Sequence, residues 1–178
     1  MKIRAVYVFI ILHLTFIGVA LYENSGDYFK TAFLTIISGV LSYFYLRSGH
    51  KNRIAFKWQG FSEILFCIAG GVLTYFLQIK YNLSAVLAAA LIGLAGSFIP
   101  DLDRNRDFLK KLSPAVYCGA FVGMTSSYFA SYTFVILAAT VAGVLLIMSK
   151  NTLLGMGGKL GSVAFGGVVL VSTILYLL

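Results

Sequence analysis

Charge is scarce in this chain and acid is scarcer: 11% of the 178 residues are charged, and six acidic residues face fourteen basic ones. Ordinary soluble domains carry roughly 25% charged residues. With 60% hydrophobic residues and a mean hydropathy of +0.91, the chain argues against a water-soluble fold. Histidine occurs only at His13 and His50, and cysteine only at Cys67 and Cys118. That leaves no disulfide framework and no metal-ligand spacing, so no metal and no cofactor are expected. Both cysteines fall inside apolar runs, where a thiol usually behaves as a small hydrophobe. A serine or cysteine nucleophile with its base, a phosphate-binding loop and an ATPase signature are all missing, so catalysis is not expected.

What the chain does have is long apolar runs and a rhythm in its positive charge. Lys2 and Arg4 precede the first run; Arg47, Lys51, Arg53 and Lys57 follow the second; Arg104, Arg106, Lys110 and Lys111 follow the fourth; Lys150 and Lys159 follow the sixth. Only Lys30 and Lys80 fall in the alternate segments. Lys and Arg collect in cytoplasmic loops, so the N-terminus is expected in the cytoplasm. The net charge of +8 therefore reports topology and headgroup contact, not a nucleic-acid partner.

A spanning helix needs about 20 mostly apolar residues. Seven segments qualify, near 5–22, 31–47, 61–79, 83–100, 114–130, 132–149 and 160–178. The expected fold is an all-α polytopic membrane protein of seven transmembrane helices in one domain, 1–178, of the kind found in a bacterial inner membrane. Tyr22, Tyr28, Tyr81, Tyr128, Tyr132 and Tyr176 fall at expected outer ends, and Tyr43, Tyr45 and Trp58 at inner ones, as interfacial aromatics do. The fifth run, with Pro114, Gly119, Gly123 and Thr125 to Ser127, leaves an alternative of six spans plus a re-entrant segment. Lys2 and Arg4 before an apolar stretch look like a signal peptide, but the stretch is too long and reads as a retained first helix.

The two halves differ. Residues 1–80 hold most of the Phe and Tyr, whereas 81–178 hold eleven of the eighteen Gly. Small residues let membrane helices approach closely, so runs four to seven are expected to form the tight centre and runs one to three to be bulkier. Gly119 and Gly123 form a G-x-x-x-G face that suits contact between subunits, which implies a homo-oligomer.

The candidate functional residues follow from the same glycines. Gly119, Gly123, Thr125 and Ser126 in the fifth run, and Gly157, Gly158, Lys159 and Ser162 before the seventh, combine glycine with hydroxyls and one cation. Broken helix at such places offers backbone N–H groups to anions and carbonyls to cations. The competing reading is packing at Gly119 and Gly123 and a plain turn at 155–161. His13 is the ionisable residue well inside a run; Glu63 lies near the start of its helix, within reach of Lys57. So few buried charges do not support coupled pumping.

The segment Pro100-Asp-Leu-Asp-Arg104 resembles the P-D-x-D-H stretch of small membrane-bound metal-dependent hydrolases, but Arg104 stands where the histidine would be. Asp103 with Arg106, and Asp107 with Lys110 and Lys111, instead have the spacing of ion pairs on a solvated helical turn. The leading expectation is a channel or passive transporter for a small solute or ion. The alternative is a non-transporting scaffold or lipid-interacting subunit, whose basic loop Arg47, Lys51, Arg53 and Lys57 docks a cytosolic partner or anionic lipid.

Overall fold

The computed structural model describes residues 28–47, 60–103, 107–126, 130–149 and 158–177, together with 11, 14, 15, 18, 21, 22 and 26. These residues are predominantly helical, without a strand among them. The chain divides into two compact units, Met1–Ala55 with Met148–Gly155, and Phe56–Ile147 with Met156–Leu178.

The first unit contains helix α1, Tyr28–Arg47. Phe29, Phe33, Ile36, Val40 and Tyr43 lie exposed along it. Their alternating four- and three-residue spacing makes one continuous apolar stripe. Thr35 returns its hydroxyl to the Thr31 carbonyl at 2.8 Å, so the polar group does not interrupt that stripe.

The second unit holds α2 (Phe61–Tyr81), α3 (Ala85–Ser97), α4 (Asp107–Gly123), α5 (Tyr132–Met148) and α6 (Lys159–Leu177). The α2–α3 hairpin is short because both helix ends are closed locally. Asn82 takes the left-handed conformation at φ 55° that ends α2, and the Ser84 hydroxyl accepts from Leu87 N–H at 3.3 Å to start α3. Beyond Ser97 the chain tightens into a 3₁₀ turn, Ile99–Leu102, that includes Pro100. Ser131 caps α5 in the same manner, accepting from Phe134 N–H at 3.2 Å.

Among the described residues, three helical segments are long and apolar enough to cross a membrane: Phe61–Tyr81, Ala85–Leu102 and Lys159–Leu177. Tyr132–Met148 is apolar but shorter. The fifth run differs most from its expected bounds. Its helix begins at Asp107, with Lys110 and Lys111 on exposed turns, and ends at Gly123. Pro114 sits inside it, where it removes one intrahelical hydrogen bond without ending the helix. The charged first turns lengthen the element toward its start, and Gly123 with the hydroxyl-bearing residues after it stops it short of 130.

Glycine contacts set the arrangement. A β-carbon at Gly119 would fall on the Cys67 carbonyl oxygen, one at Gly70 on the Val116 carbonyl oxygen, and one at Gly123 on the Gly71 carbonyl oxygen. Helices α2 and α4 therefore run parallel with their backbones touching. Across α5 the order reverses, since Gly143 meets Ile64 whereas Gly71 meets Val135 and Ala139. Gly93 and Gly96 of α3 face Tyr117 and Val116, and Gly167 of α6 faces Ala138 and Ala142. The tight centre is thus built around α2 and α4. Gly70 and Gly71 bring α2 into it from the aromatic-rich half, a contribution that average composition hides.

Candidate functional site

Helix α2 carries an unusual face. Glu63, Cys67, Gly70, Gly71, Thr74 and Tyr75 are buried, and Gln78 continues the same side in a half-buried position. Steps of three and four residues put these groups on one stripe of a helix whose outer faces are lined by Leu65, Leu73, Phe76 and Ile79. The helix is therefore inverted relative to a soluble amphipathic helix, with polar groups inside and apolar groups outside.

Cys67, Thr74 and Gln78 on the stripe lie against Gly119 and Gly123 of α4. Glu63 is 3% exposed and is not free of partners. Cys67 lies against Cys118 of α4 within hydrogen-bonding reach, and the Cys118 thiol sits 3.8 Å from the Leu160 carbonyl in the first turn of α6. The Thr74 hydroxyl is fully buried and has no hydrogen-bond partner. A β-carbon at Gly123 would stand 2.7 Å from the Thr74 β-carbon, so the orphaned hydroxyl belongs to the α2–α4 seam. One turn on, the Gln78 amide donates to the Gly123 carbonyl. Beside it the Tyr75 hydroxyl donates to the Ala130 carbonyl at 2.5 Å, with its ring edge-on to Tyr132 at 5.0 Å between centroids.

An unpartnered buried hydroxyl costs about 1–3 kcal/mol. A carboxyl group in a membrane helix costs more, and such groups turn toward the interior of a bundle or a watery path. The stripe therefore carries polar groups along most of a span, from Glu63 to Gln78, and among the described residues the Thr74 hydroxyl is the one left unsatisfied.

The residues singled out in the sequence distribute unevenly about this stripe. Gly119 and Gly123 form its opposite wall on α4, and the surface assigned to contact between subunits is occupied by α2 of the same chain. Thr125, just past α4, donates to the Val122 carbonyl at 2.7 Å and borders an apolar cleft with Gly161, Ala164 and Phe165. Ser126 is exposed. Gly158, Lys159 and Ser162 open α6: Gly158 has φ +80°, Lys159 is half-buried, and Ser162 N–H closes the first turn onto the Gly158 carbonyl at 2.9 Å. His13, Gly157, Lys51, Arg53 and Lys57 lie outside the described residues. A second cleft of about 190 Å³, lined by Val86, Ala89, Tyr117, Ala120, Phe121 and Met124, is apolar.

Sequence reasoning missed Cys67, Thr74 and Gln78. Each is unremarkable alone; their i, i+7 and i+11 spacing from Cys67, with Glu63 one turn before, was the available signal. Among the described residues no three His, Cys, Asp or Glu side chains gather as a metal site would require. No protein-family model, curated protein or solved structure matches the chain.

Proposed function

We propose that the chain is an integral membrane protein that passes a small polar solute or ion passively along the inner face of α2, between Glu63 and Gln78. The observation that carries this reading is the buried, unpartnered Thr74 hydroxyl midway along a polar stripe. A hydroxyl kept at such a cost has a use when a permeating species or water bonds to it as the seam opens. Gly119 and Gly123 supply the smooth opposite wall, and their contacts with Cys67 and Gly71 make the described arrangement a closed one. Seven crossings and a cytoplasmic N-terminus belong to the same reading, supported by the alternation of Lys and Arg, and a bacterial inner membrane and a homo-oligomer are proposed with them. No catalytic step is part of it.

Reconstitution into liposomes tests it, with a flux screen over inorganic ions and small neutral metabolites. Flux of one solute class that falls when Thr74 is replaced by Val supports the path; absence of flux for every solute, with the protein shown to be folded, removes it.

A second reading, a non-transporting scaffold or lipid-interacting subunit, is favoured by the backbone contact at Gly70 and Gly119, which suits a rigid core. Its basic loop, Arg47, Lys51, Arg53 and Lys57, then docks a cytosolic partner or anionic lipid. Neutralising these four residues should release that partner while flux is absent throughout.

A further inference from the structure

Cys67 and Cys118 are the only cysteines in the chain, and the fold brings them together from different helices. Cys118 directly precedes Gly119, where a β-carbon would fall on the Cys67 carbonyl oxygen, and the two thiols stand within hydrogen-bonding reach. Both are 0% exposed. A disulfide needs α-carbons about 4.4–6.8 Å apart and side chains that point toward each other. The backbone contact of α2 with α4 at Gly119 and the hydrogen-bonding reach between the thiols place the pair close enough for such a bond to be tested. Two thiols opposed in this way are more than packing, since any small residue fills the seam and only a thiol pair can be joined.

We propose that Cys67 and Cys118 form a redox-active dithiol, oxidised to an intramolecular disulfide by organic hydroperoxides dissolved in the bilayer. Neither sulfur touches the surroundings while the α2–α4 seam is closed, so the oxidant reaches them as the seam parts, and an apolar hydroperoxide is the one concentrated in the lipid around the helices. The first thiol attacks the terminal peroxide oxygen, the O–O bond breaks, and the thiol proton leaves on the alkoxide as an alcohol. The sulfenic acid that remains is attacked by the second thiol; its S–O bond breaks, and the hydroxyl takes the second proton and departs as water. Two sulfur atoms give up two electrons and the peroxide accepts them. The product fastens α2 to α4 at the seam, and a thiol reductant reverses it. This inference stands on the packing alone and is independent of any flux.

Treatment of the full chain in liposomes with cumene hydroperoxide, followed by acid quench, unfolding and maleimide labelling, tests it. Both thiols should vanish from the labelling together, a cross-linked peptide joining the segments around 67 and 118 should appear lighter by two hydrogens, and dithiothreitol should restore both thiols. In Cys67→Ser or Cys118→Ser protein, the remaining cysteine should be trapped as a sulfenic acid adduct with no cross-link. Thiols that stay fully labelled, or that oxidise separately to sulfinic acids in the native chain, overturn the proposal. Because the decisive measurement uses the unaltered protein, a variant that fails to fold leaves it intact.

Discussion

A β-carbon at Gly119 would fall on the carbonyl oxygen of Cys67, so α2 and α4 meet there through backbone alone. A backbone carbonyl held in a helix cannot swing aside as a side chain does. Replacing Gly119 with Ala must therefore push the helices apart, at about 3 kcal/mol, the upper end of overpacking costs. Gly39 and Gly161 have open space where a β-carbon would go, and Ala there should be neutral or gain up to about 1 kcal/mol from helix propensity. Thermal unfolding in mild detergent checks the contrast; equal effects at 119 and 161 would remove the seam from the account of stability.

Thr74→Val separates stability from function. Valine keeps the shape and deletes a buried hydroxyl that has no partner, so the folded protein should gain about 1 kcal/mol or more. If the hydroxyl serves a permeating species, flux should fall in the same variant whose melting temperature rises. A variant that is less stable would mean that the hydroxyl is satisfied in the membrane.

Tyr75 joins two elements through one hydroxyl. Tyr75→Phe retains the edge-on contact with Tyr132 and loses only the bond to the Ala130 carbonyl, for a cost of about 1 kcal/mol. Tyr75→Ala also loses the ring and should cost roughly 3–5 kcal/mol. Chemical denaturation of the three proteins side by side gives the two increments.

The sequence and the structure agree where the signal is local. The apolar runs near 61–79 and 83–100 became α2 and α3 with bounds close to those expected, because Asn82 and Ser84 close the helix ends within the chain's own turn. The fifth run, expected from 114, starts at Asp107 because its first turns are helical yet charged, and hydropathy sees only apolar residues. The site was legible on one side only. Gly119 and Gly123 announce a close approach, but not which helix approaches, and the partner face on α2 is written in ordinary-looking Cys, Thr and Gln residues. Their meaning depends on contacts far apart in sequence, such as Gln78 with Gly123.

Two glycines that look equivalent in sequence should respond differently to rescue. A β-carbon at Gly93 would meet the Tyr117 ring, with its Cε2 atom at 2.7 Å, whereas one at Gly70 would meet the Val116 carbonyl oxygen. Tyr117 is 40% exposed and packs edge-on to Phe121 at 5.3 Å, so its ring has room to be removed or turned. Gly93→Ala should therefore destabilise by about 1–2 kcal/mol, and adding Tyr117→Leu should recover much of that loss, a coupling expected for residues in direct contact. Gly70→Ala should cost more and should not be recovered by Val116→Ala, because trimming that side chain leaves its carbonyl in place. The double-mutant cycle is read as midpoint shifts in chemical denaturation. Rescue at both positions would show that side chains, not backbone, set the α2–α4 distance; rescue at neither would detach Tyr117 from the α3–α4 contact.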